Sequence, residues 1–87
     1  MKHSVILKIA KDDPCFAIYS IFAEEIVISG HTCLVISCEE PTFHVRFLQA
    51  RIAASQKFEG LLVWILSEYV VYVCADDQDR KIGFGSA

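Results

Sequence analysis

The sequence predicts an α+β fold: a single small domain, mainly antiparallel sheet, with one or two helices on one face. Three observations predict it. Val and Ile fill 18 of the 87 positions, and β-branched side chains suit a pleated surface. Several short runs alternate apolar with polar residues, the period of a half-buried strand. Two other stretches have helical spacing, and the first also has a helix-start signal. The element order is strand, helix, strands, helix, two strands. That order fits a ferredoxin-like βαββαβ layout plus a strand. The alternative is a β-meander with one helix packed across it.

Ser4–Ala10 alternates, with Val5, Leu7 and Ile9 on one side, and reads as the first strand. Asp13-Pro14 is a helix start, with Asp13 as N-cap and Pro14 at the first helical position. A helix over 14–25 then puts Cys15, Ile18, Tyr19, Phe22 and Ile26 on one face. The same residues can also be read as a strand, because Phe16, Ile18, Ser20 and Phe22 share a side. Ile26–Ser29 and Thr32–Cys38 read as a hairpin, with Gly30 at the first central position of a type II′ turn. Glu39-Glu40-Pro41-Thr42 reads as a break.

Phe43, Val45 and Phe47 alternate with His44 and Arg46, as in a strand. Phe47, Ala50, Ala54 and Phe58 stand at helical spacing among good helix formers, so a helix is expected over at least 48–57, starting as early as Thr42, with Gly60 as its stop. Leu61–Leu66 and Tyr69–Ala75 read as two strands of a hairpin around Ser67-Glu68. A polar loop, 76–80, and a loose tail or short edge strand follow. The expected domain is 1–82, with 83–87 as a flexible tail.

The chain is 54% apolar and carries a net charge of −3. A domain this small has little interior for so many apolar residues, so part of them is expected on the surface as an interface. The simplest outcome is a homodimer. The acidic balance disfavours a protein whose main task is gripping nucleic acid. Met1–Lys11 does not read as a signal peptide, and no apolar run is long and uninterrupted enough for a bilayer span. A cytoplasmic protein with reduced Cys15, Cys33, Cys38 and Cys74 is expected.

Five groups carry possible chemistry. His31, Cys33, Cys38 and His44 have zinc-binding side chains, but no Cys-x-x-Cys spacing accompanies them. Cys33 and Cys38, five apart on one strand, point to opposite faces, so no metal is expected. Cys15 with His3 or His44 could form a nucleophile–base pair, since a helix N-terminus favours a thiolate. Asp76, Asp77 and Asp79 lack the other ligands of a calcium loop and read as a polar partner contact. Arg46, Arg51 and Lys57 with His44 could meet phosphates. Among the aromatics, Trp64, Tyr69 and Tyr72 on the last hairpin are the expected interface anchors.

The expected function is a small cytosolic binding or interaction module of accessory, regulatory or inhibitor type, homodimeric and without cofactor. Its partner is a protein or a small ligand. Two alternatives stand beside it: a small enzyme using a Cys/His site, and a nucleic-acid binder using Arg46, Arg51 and Lys57.

Overall fold

The computed structural model describes residues 2–53 and 57–76. They form β1 (Lys2–Leu7), α1 (Pro14–Ser20), β2 (Glu24–Ile28), β3 (His31–Phe43), β4 (Phe47–Ile52), β5 (Leu62–Leu66) and β6 (Val70–Asp76), with a 3-10 turn at Ser67–Tyr69. All strand pairs are antiparallel. The strand path is β5-β4-β3-β1-β6, and β2 pairs with β3 beside it.

The helix starts where the sequence places it. Asp13 is the N-cap, its Oδ1 accepts the Cys15 N–H at 2.9 Å, and Pro14 opens the helix. The helix ends at Ser20 rather than 25, because Glu24–Ile28 are drawn into the sheet beside β3.

The β2–β3 turn is Ser29-Gly30, since Ile28 faces His31 across it. Both residues have positive φ, 50° and 82°. That is a type I′ turn with Gly30 at its second central position, one residue out of step with the expected II′ turn. Ser29 is an L residue held in the left-handed region, which Asn tolerates better. Ser29→Asn is expected to stabilise the fold by about 0.5 kcal/mol, read as a higher urea midpoint. A lower midpoint would contradict the turn geometry.

The second expected helix, over 48–57, is a correction. Residues 47–52 are β4, residues 57–60 are a turn, and 54–56 lie outside the described residues. Helix formers were read at a period of 3.6. The burial has a period of 2: Leu48, Ala50 and Ile52 point in, while Phe47 and Arg51 are exposed. Pairing on both sides, with β3 and β5, overrides intrinsic propensity. Gly60, with φ 84°, serves the β4–β5 loop instead of stopping a helix. Without that helix the ferredoxin-like order is not formed, and β3-β4-β5 run as a meander.

The break expected at 39–42 is a bulge inside one 13-residue strand. Glu39 faces Arg51 and Thr42 faces Gln49, so β3 carries one extra residue. Glu40 has φ 54° there. A second extra residue lies on β6, between the Ile6–Tyr72 and Leu7–Val70 pairs. Bulges bend strands and sharpen their twist.

That bending is required. β5 and β6 end the five-strand path, yet only the three residues of the 3-10 turn join them. A flat path would separate them by about 19 Å at the usual strand spacing. Four extended steps reach only about 14 Å, and a 3-10 turn about 8 Å. The sheet therefore curls until its two ends approach. This also corrects the expected last hairpin: β5 pairs with β4, and β6 pairs with β1.

Inside the curl lies one core: Val5, Leu7, Leu34, Ile36, Cys38, Leu48, Ala50, Ile52, Val63 and Ile65, with Ile9 and Tyr19. Cys15, Phe16 and Phe22 of the α1 region pack against it. Two polar links fix the helix to the junction of β5 and β6. The Leu66 N–H donates to the Tyr19 hydroxyl at 3.1 Å, and the Tyr69 hydroxyl donates to Asp13 Oδ2 at 2.8 Å.

Candidate functional site

The outer face of β4 and β5 is where the sequence and the register together expose aromatic surface. Each outward residue has a cross-strand neighbour: Phe47 faces Leu66, Gln49 faces Trp64, and Arg51 faces Leu62. The tight β3–β4 loop, closed by His44 N–H to Phe47 O at 2.7 Å, folds His44 back over the same face. Trp64 becomes the hub. Its ring lies 5.6 Å from the His44 ring and 5.9 Å from the Phe47 ring, the latter edge to face. Trp64 is 49% exposed and Val45 at the loop tip 94%, and Leu62 is also exposed. Arg51 lies on the rim, its Nη1 donating to Gly60 O at 3.0 Å. Such an assembly can bury apolar and π surface against a partner.

The expected anchors are not brought together as a hairpin. Trp64 is in the cluster. Tyr72 is exposed on β6, which pairs with β1 rather than with β5. Tyr69 is partly buried, bonded to Asp13 and packed edge to face on Tyr19 at 6.2 Å. Asp76 ends β6, while Asp77 and Asp79 lie outside the described residues. Arg46 sits in the β3–β4 loop and Arg51 on β4. Lys57, in the turn before β5, has its Nζ 6.0 Å from the Phe58 ring centre.

The sequence reading missed His44 and Phe47 as partners of Trp64. They are 20 and 17 residues from it, and only the β4–β5 register joins them. An exposed aromatic on either strand of a meander was the available signal.

Cys15, in the first turn of α1, packs against the core. Cys38 is the cysteine opposite a histidine in the register, facing His3. Burial, helped by the charge of Glu39, pushes its thiol up to about 11. It is a neutral core thiol at neutral pH. Among the described residues, no three of the His, Cys, Asp and Glu side chains come together to hold a metal ion. No helix among them is long and apolar enough to cross a membrane.

Asp13 carries the clearest acid dependence. The Cys15 N–H, and after it the Tyr69 hydroxyl, hold its carboxyl below its usual value. The same carboxylate pushes the Tyr69 hydroxyl well above the usual phenol range. A carboxyl depressed in the folded state adds stability above its unfolded pKa and loses it as the pH falls through the folded one. Asp13→Asn should thus flatten the acid limb. Below about pH 4 the wild-type melting temperature should fall more steeply than the variant's. Parallel slopes would remove Asp13 from the acid response.

Comparison with protein-family models, curated proteins and solved structures found no match to this chain.

Proposed function

We propose that this chain is a small binding module that self-associates through the outer face of β4 and β5. The observation that carries the reading is the exposed cluster of Trp64, His44 and Phe47, continued by Val45 and Leu62. Trp anchors dominate interface energetics, and contiguous exposed apolar surface marks a contact region. The occupant is a second copy. Trp64, Phe47, Val45 and Leu62 are uncharged, and Arg51, which the β4–β5 register puts on this face, lies at the rim with its Nη1 bonded to Gly60 O. An apolar face meets its own copy across a two-fold axis without further specialisation.

Sedimentation velocity over a concentration series tests this. A concentration-dependent dimer is expected, and Trp64→Ala should weaken it about tenfold or more. Trp64 is the only tryptophan, so its emission should shift to the blue as the dimer forms. A monomer at all concentrations, or a dimer indifferent to Trp64→Ala, would overturn the reading.

A second reading rests on Arg46, in the loop between His44 and Phe47, and on Arg51, two residues along β4 from Gln49, which faces Trp64. Bases can stack on an aromatic platform while arginines meet phosphates. Quenching of Trp64 by oligouridylate, reversed by salt, would favour it over self-association.

A further inference from the structure

A cavity of about 420 Å³ is lined by Lys8, Ile9, Ala10, Lys11, His31 and Thr32. The lining brings together two segments far apart in sequence, the β1–α1 connection and the start of β3. Leu7 faces Leu34 in the register, so the chain leaving β1 passes beside the turn that opens β3.

The connection is held in place. The Lys8 N–H donates to Tyr69 O, and the Asp13 N–H donates to Ala10 O, both at 2.9 Å. Between these ties Ile9 is buried in the core. Lys8 and Lys11 flank that anchor and are exposed. Among the described residues no carboxylate contributes to the lining, although acidic residues outnumber basic ones in the chain, 11 to 8.

We propose that this cavity is a binding site for a small phosphorylated ligand. Two ammonium groups match the charge of one phosphoryl dianion. Of His31 and Thr32, neighbours on β3 whose side chains point to opposite faces, one can add an N–H or O–H donor. Ile9 and Ala10 offer apolar surface to the rest of the molecule, and the volume lies in the range of small-ligand sites. A carboxylate, with one negative charge, would leave one lysine uncompensated, so phosphate is preferred over acetate. The site is independent of the self-association reading, since none of its residues belongs to the aromatic cluster.

Amide NMR titration of the full chain with inorganic pyrophosphate at moderate salt tests it, with sodium acetate as the control. Saturable shifts confined to residues 8–11 and 31–32, and little response to acetate, are expected. The double variant Lys8→Gln, Lys11→Gln should weaken binding at least tenfold and keep its melting temperature, because both side chains are exposed and the Lys8 tie uses its backbone. Non-saturating shifts spread over all the basic residues would overturn the proposal. So would equal responses to pyrophosphate and acetate, or a folded double variant that binds as tightly as the wild type.

Discussion

Leu34→Ala should destabilise the protein by about 3–5 kcal/mol. Leu34 is fully buried on β3, where it faces Leu7 of β1 on one side and Glu25 of β2 on the other. Truncation removes core contacts and leaves a cavity that two flanking ladders hold open, which favours the upper part of the range for such changes. A domain of this length has a total stability of roughly 4–13 kcal/mol at typical per-residue values. The variant should therefore be marginal. Urea unfolding checks it, with an unchanged slope showing that only stability has moved. Leu62→Ala is the control. The same side chain is removed from the outer face, where Leu62 is 38% exposed, and a cost below about 1 kcal/mol is expected. Equal costs at the two positions would mean that the inward and outward faces are assigned wrongly.

Tyr19→Phe should cost about 1–3 kcal/mol, although it deletes a single oxygen. Tyr19 is 8% exposed, and its hydroxyl accepts the Leu66 N–H at the end of β5. Phenylalanine keeps the ring against Tyr69 but leaves that N–H without its acceptor, and an orphaned buried donor is expensive. The loss falls where the two ends of the curled sheet approach. Hydrogen exchange separates this from a general loss of packing. The Leu66 amide should exchange faster in the variant by more than the global destabilisation accounts for. Unchanged stability with unchanged Leu66 exchange would show that the bond contributes nothing.

Local chemistry was legible and long-range pairing was not. Asp13-Pro14 announced the helix start because a cap and a fixed φ act within a few residues. Gly30 announced the hairpin, but its register depended on Ser29 accepting positive φ, which a serine does not advertise. Residues 48–52 read as helix because alanine, glutamine and arginine favour one. They form a strand because β3 and β5 supply ladders on both sides. Pro41 read as an interruption. It lies beside the bulge, where β3 continues past a residue that cannot donate to the ladder. Ser67-Glu68 read as a reversal, but the 3-10 turn redirects the chain across the curl. The site followed the same rule. Trp64 stood out alone, whereas its company, and the meeting of Lys8 and Lys11 with His31, exist only once the strands are paired.

The position of β1 sets the order in which the structure can be completed during synthesis. β1 is an interior strand of the path, laddered to β3 on one side and to β6 on the other. Lys2 faces Asp76 across nearly the whole described chain. While the ribosome has yet to deliver Val70–Asp76, one side of β1 has no strand to bond, and Val5 and Leu7 lack the wall that Val70 and Val73 supply. A nascent chain can close the β2–β3 hairpin and extend the meander through β4 and β5. It cannot seal the core. Pairings of such wide sequence separation are the slow ones, so this core is completed only after β6 has emerged.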